Sequence, residues 1–253
     1  FIKEKRKNIY KLYDVIHPLK SSDNYKKYSE LLKKGDRSII AYYILLAIYE
    51  LNSQHSVVHR NLSLKNIWIE PTTLPYNRKI KTFKPIIGGL EYSRIILGKA
   101  QDLTNVDHFS YSNFVAPESS DYSSYTESIY VFAYGVILYE LLTGKYPINP
   151  NESKSTVLQK ISEGYRPKIV PEEPEAYELI NNCWVTAPES RWSFRKILQY
   201  FTTLEKPIFS VDKRKFPLIS QLFHSSQEDP QISDIFEQIQ SHIYTDIFQY
   251  VFN

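Results

Sequence analysis

The stretch "SIYVFAYGVILYELLT", residues 128–143, constrains the fold more than any other. It is apolar on almost every face, so a helix built from it has no side to turn to water. Such a helix must sit at the centre of a domain, with other elements packed round it. Gly144 follows it and Pro147 lies just beyond, which marks the stop. A second apolar run, "IIAYYILLAIY" at 39–49, predicts another buried helix over 37–54. It has roughly half of the ~20 apolar residues that a bilayer span needs.

Around these two helices the pattern is mixed. Further helices are predicted at roughly 153–163, 174–184 and 192–203. "NIYKLYDVI" (8–16) alternates in part and reads as a strand, as do "NIWI" (66–69) and "KPIIGGL" (84–90). Residues 17–30 and 71–83 read as polar connections, and 92–124 as a long irregular segment of the kind that is usually functional or disordered. In the tail, Asp229–Pro230 is a helix-start signal. The stripe Ile232, Ile235, Phe236, Ile239, Ile243, Ile247, Val251 then predicts an amphipathic helix over 230–251.

Composition removes several function classes. The 253 residues carry a net charge of +3, too little for a nucleic-acid binder. The single cysteine, Cys183, rules out an internal disulfide framework and fits a reducing, cytoplasmic setting. No secretory signal pattern is present. The chain contains no methionine at all, so a segment of a longer or processed chain is expected.

Four motifs then fall in one order. "HRNLSLKN" (59–66) resembles the HRD-x-x-x-x-N catalytic loop of protein kinases. "APE" (116–118) follows at the spacing of an activation segment. "YVFAYGVILYELLTGKYP" (130–147) resembles the buried F helix of that family. "INNCWVTAPESRWSF" (180–194) resembles its last conserved block, in the form typical of the tyrosine-kinase-like group. The resemblance covers about residues 8–203. It implies an α+β, protein-kinase-like fold with a mainly helical C-terminal lobe at 31–203. Residues 1–30 would be a remnant of the N-terminal β lobe and hinge, and 204–253 a helical extension.

The resemblance also locates departures. Phosphoryl transfer depends on positioning and charge neutralisation. It calls for a carboxylate at the attacking hydroxyl, metal-holding side chains, a phosphate-binding lysine and a glycine-rich cover. The catalytic carboxylate maps to Asn61, whose amide orients a hydroxyl but takes no proton. The loop lysine maps to Ser63. The metal-holding Asn persists as Asn66, but the metal-holding Asp maps to Gly89 in "GGLEYSRII". No Asp occurs between residues 37 and 101, and Glu91 is the only conceivable substitute. Neither a G-x-G-x-x-G loop nor a V-A-I-K strand is present.

What persists is structural in the family. His59 packs in the core. Arg60 answers a phosphate on some activation segments, here a question of Ser110, Tyr111 and Ser112. Glu118 and Arg191 match an ion pair that ties the activation segment to the helices. Gly135 allows close packing of the F helix. Tyr130 stands where the family has an Asp that anchors the catalytic loop. The expectation is a pseudokinase acting through protein partners, with no cofactor and no functional metal site; the 230–251 helix is expected to dock on its own domain, with a partner or dimer contact as the alternative. The alternatives are a Ser/Thr-type kinase using ATP and magnesium, its N-terminal lobe lying outside this chain, and a degenerate gene fragment.

Overall fold

The computed structural model describes residues 9–17, 32, 34–53, 57–74, 77–95, 115–120, 126–169, 174–204 and 208. The segments 18–31 and 96–114 and the apolar stripe at 230–251 lie outside the described residues, as do Ser110, Tyr111 and Ser112.

The described chain is mostly helical, with a small antiparallel sheet. Strand β1 (Tyr10–Lys11) leads into helix α1 (Leu12–Ile16), followed by α2 (Lys34–Ser53) and β2 (Val57–Val58). A hairpin of β3 (Ile67–Leu74) and β4 (Asn77–Ile87) comes next, then β5 (Arg94–Ile95). The remaining helices are α3 (Glu127–Thr143), α4 (Lys154–Ser162), α5 (Pro174–Cys183) and α6 (Phe194–Thr203). The larger sheet has the order β1-β3-β4, all antiparallel, and β2 pairs with β5.

Helix α3 is the axis. Every residue from Ile129 to Leu141 is buried, as an all-round apolar helix demands. It ends at Gly144, left-handed at φ 65°, whose N–H closes on the Glu140 carbonyl. The left-handed cap is nearly free for glycine. Helix α2 lies against α3, and the Tyr134 hydroxyl donates to the Ala41 carbonyl at 2.9 Å. Helix α5 brings Ala176, Leu179, Ile180 and Cys183 inward, the i, i+3, i+4, i+7 pattern of one helical face. It approaches α3 at Gly135, where an added Cβ would lie 2.7 Å from Cys183 Cβ. Helix α6 is capped by Ser193, whose hydroxyl accepts from the Lys196 N–H, and buries Phe194, Ile197 and Phe201.

Two local expectations are corrected. Residues 8–16 do not form one strand. Only Tyr10–Lys11 is extended, and Leu12–Ile16 turns into a helix with Leu12, Val15 and Ile16 buried. That helix is fixed to the helical body by His17, whose Nε2 lies 2.7 Å from Glu140 on α3 and whose ring stacks on Tyr146 at 4.1 Å. Residues 71–74 and 77–83 are not a connection either. They belong to strands β3 and β4, whose register runs Ile67↔Ile87 to Thr73↔Lys81 with a shift at Thr73/Leu74. Among the described residues no helix is long and apolar enough to cross a membrane.

Candidate active site

The loop between β2 and β3 carries five of the residues singled out by the sequence, His59, Arg60, Asn61, Ser63 and Asn66. His59, Arg60, Asn61 and Ser63 are all buried. Arg60 has φ 61°, the only non-glycine residue with positive φ among those described. A bulky side chain in that region costs roughly 1–3 kcal/mol, so the surroundings must hold it. Ser63 opens a tight 3-10 turn, Leu64–Asn66, and its carbonyl accepts from the Asn66 N–H at 2.9 Å.

His59 braces this loop against the segment after β4. Its Nδ1 lies 3.2 Å from the Asn61 N–H, which donates to it, so the proton sits on Nε2. Nε2 then donates to the Gly88 carbonyl at 3.0 Å. Full burial depresses the imidazole pKa to about 4, against the smaller opposing effect of the Gly88 carbonyl. A neutral ring is therefore locked in one tautomer, which is a structural use of histidine. Ser93 adds a second brace, its hydroxyl donating to the His59 carbonyl at 3.3 Å.

Asn66 and Gly89 meet directly. The Asn66 amide donates to the Asn61 carbonyl at 2.6 Å, and the Gly88 N–H donates to the Asn66 carbonyl at 2.8 Å. Gly89 is left-handed at φ 77°. A Cβ on it would fall 2.6 Å from Asn66 Cγ. The space beside Gly89 is thus filled by the Asn66 side chain. Gly88 is equally tight against the Trp68 indole, where a Cβ would meet Cζ3 at 2.6 Å.

These residues do not fit a nucleotide-bound magnesium ion. That hard cation favours carboxylate oxygens. Here the two mapped positions supply no carboxylate: one is a neutral amide, Asn66, whose NH2 is bonded to the Asn61 carbonyl, and the other is Gly89, with no side chain. Asn61 adds a second amide where a proton acceptor would be required.

Tyr130 lies under the same loop. It is buried on the first turn of α3 and lines a small cavity with His59, Leu62 and Val57. Glu118 and Arg191 form a two-armed ion pair below it, Nη2 to Oε2 at 2.9 Å and Nη1 to Oε1 at 2.5 Å. Gly135 is the contact point of α3 with α5.

Some members of this arrangement have no sequence signal. Ser93 and the His17–Glu140 contact join residues far apart in the chain. Burial pushes the Glu140 carboxyl pKa up, and the His17 hydrogen bond opposes the rise. No spacing rule announces a partner over a hundred positions away.

Comparison with known proteins agrees with this geometry. The curated relatives include the dual specificity protein kinase pyk3 of Dictyostelium discoideum, 25% identical over 223 residues. That match covers 86% of this chain and 14% of the relative. The probable serine/threonine-protein kinase roco7 of the same organism is 30% identical over 173 residues, 65% of this chain and 6% of the relative. The mitogen-activated protein kinase kinase kinase 7 of Drosophila melanogaster is 29% identical over 122 residues, 47% and 18%. The chain spans less than a fifth of the length of each of these relatives. The family model of the protein tyrosine and serine/threonine kinases matches residues 13–201, and on that match, which holds the braced loop, α3 and the Glu118–Arg191 pair, the chain belongs to the protein kinase family.

Proposed function

We propose that this domain is a pseudokinase of the tyrosine-kinase-like group, acting in the cytoplasm through protein partners rather than by phosphoryl transfer. The observation that carries the reading is the Gly89–Asn66 contact. The position that would hold a metal-binding carboxylate is a left-handed glycine packed on the side chain of the one metal-binding residue that persists. Asn61 supports it, because losing a general base alone lowers a rate by roughly 10²–10⁴-fold. The intact scaffold argues against a decayed fragment: the bidentate ion pair, the capped α6 and the fully buried α3 agree with one another, and such consistency across levels marks a foldable sequence.

The test is incubation with radiolabelled ATP, magnesium or manganese, and generic protein substrates. The expected result is no transfer above blank. Transfer that disappears on mutating Asn61, Asn66 or Glu91 overturns the reading and restores the assignment of an active kinase.

A further inference from the structure

We propose that Arg166 and Thr186, with the ring of Tyr165, form a docking surface for a carboxylate on an acidic, partly apolar peptide segment of a protein partner. This deepens the interaction-module reading and rests on it.

Two guanidinium groups flank one ring. Arg166 and Arg191 each place Cζ 5.0 Å from the centre of Phe132. Arg191 has a counter-ion in Glu118. Arg166 has none among the described residues. Its Nε donates to the Trp184 carbonyl at 2.8 Å, and its Nη1 to the carbonyls of Ile161 at 3.2 Å and Tyr165 at 2.7 Å. These bonds fix the fork without neutralising it. Burial and the neighbouring Arg191 lower its pKa to about 10, which still leaves a full cation at neutral pH.

Among the described residues one arm remains open: Nη2 reaches only the Thr186 hydroxyl, at 3.5 Å, and that contact is on the surface. Next to it Gly164 is left-handed at φ 83° and exposed. A Cβ there would meet, among the described residues, nothing closer than Thr186 Oγ1 at 3.6 Å. Tyr165 is 47% exposed, the most exposed large hydrophobic side chain described. Lys160 sits over its ring but is engaged by Glu152 at 2.6 Å. Lys168, also exposed, adds positive charge two residues on.

The chemistry selects the occupant. One guanidinium arm and one hydroxyl make a two-donor seat for a single carboxylate, and charge-assisted bonds are the strong ones. A phosphate group carries nearly two charges and favours a cluster of arginines. The open tyrosine face adds an apolar contact that a peptide covers and a free ion does not. Tyr and Arg are also the residues over-represented where binding energy concentrates.

The test uses three probes on the full chain: a blocked acidic peptide of Asp, Glu and Leu, its Asn/Gln counterpart, and inorganic phosphate. Binding is read by isothermal titration and by the Arg166 Nε–Hε signal in NMR. The acidic peptide should bind saturably, weaken with salt and lose about tenfold in affinity in Arg166→Gln. Because Arg166 also holds backbone carbonyls, Thr186→Val and Tyr165→Ala at exposed positions serve as folded controls. Each should weaken binding severalfold. Absence of saturable binding, equal binding of the amide peptide, undiminished binding in all three variants, or a response to phosphate alone overturns the proposal. The phosphoryl-transfer assay on the same preparation separates the two failures. Inactive protein that ignores the peptide sinks the surface only, whereas transfer activity sinks the interaction-module reading.

Discussion

Arg191 holds Glu118 with both arms of its guanidinium and has no N–H left over. Nη1 and Nη2 reach the two carboxylate oxygens, at 2.5 and 2.9 Å. The other three donors go to the carbonyls of Val185, Ser128 and Thr186. Five donors are all that an arginine has. The Arg191 side chain is fully buried. Removing Glu118 therefore strands a buried cation, and Glu118→Ala should lose roughly 3–5 kcal/mol of stability. Glu118→Gln keeps one acceptor and should lose less. Denaturant midpoints check both, and a Glu118→Ala midpoint matching the parent would show that the pair contributes nothing.

Gly135 sets the distance between α3 and α5. A methyl group there would stand 2.7 Å from Cys183 Cβ, against backbone-proximal atoms that cannot swing aside. Overpacking of this kind costs roughly 1–3 kcal/mol, while Ala in place of Gly recovers up to ~1 kcal/mol of helix propensity. Gly135→Ala should therefore be destabilised on balance. Cys183→Ala should not rescue it, since alanine keeps the Cβ that collides. Full rescue by Cys183→Ala would place the clash at the sulfur instead.

His59 makes stability depend on pH. Its folded pKa is about 4, below the ordinary 6.5, because it is buried as the neutral ring. The unfolded chain thus takes the proton first on acidification. Stability from this group is complete above pH 6.5 and falls as pH drops from 6.5 towards 4. The loss is roughly 3 kcal/mol at the bottom of that window. Glu140 acts in the opposite sense, since its raised pKa favours the folded state at lower pH. The difference between the parent and His59→Asn isolates the histidine. Urea midpoints of the two should converge as pH falls from 7 to 5, and parallel profiles would refute the assignment.

The helical body was legible because its signals are local. The run 128–143 with Gly144 behind it dictates a buried helix wherever it occurs. The order of the motifs points to the loop, to Glu118 with Arg191 and to Gly135, each on a short local signature. The β3–β4 hairpin was legible only at "NIWI" and "KPII", because the residues between them carry no apolar alternation and the strands there are set by pairing, Thr72↔Thr82 and Thr73↔Lys81 among them. Residues 12–16 were misread for another reason. Leu12, Val15 and Ile16 fit a helical face as well as a partial strand, and the deciding contact, His17 to Glu140, spans 123 positions. The carbonyl bonds of Arg166 are equally silent in sequence, since a backbone acceptor leaves no residue-type signature.

Gly89 offers a direct check of the site geometry. Gly89→Asp restores the carboxylate of the family but places its Cβ 2.6 Å from Asn66 Cγ, on a left-handed backbone. Asn66 can yield only by turning away from the Asn61 carbonyl, which loses that bond. The variant should lose about 1–3 kcal/mol, and Gly89→Asp/Asn61→Asp should gain no phosphoryl transfer. A double variant that is as stable as the parent and active would show that the site had lost only two side chains.

Tyr130 is the sharpest test of how the loop is held. The loop is braced by bonds from the Asn61 N–H to His59, from Asn66 to the Asn61 carbonyl, from His59 to the Gly88 carbonyl and from Ser93 to the His59 carbonyl. Tyr130 is 4% exposed and packs beside His59 and Leu62. A phenol is uncharged at neutral pH and bulkier than a carboxylate, so the expectation is that packing contributes to holding the loop at this point. Tyr130→Phe keeps the ring and should cost little beyond the hydroxyl, about 0.5–1.5 kcal/mol. Tyr130→Asp removes the ring and buries an acid in an apolar setting. It should cost more, roughly 3–5 kcal/mol from the lost aromatic alone, with a further penalty for any unpaired charge. Because a buried acid is easier to hold protonated, the Tyr130→Asp defect should shrink as pH falls below neutrality. Thermal melts at pH 7.5 and pH 5, referenced to Tyr130→Phe to cancel the His59 contribution, measure this. A Tyr130→Asp variant melting above the parent at pH 7.5 would mean that the loop's N–H groups still converge on a carboxylate site there, and the packing account would fail.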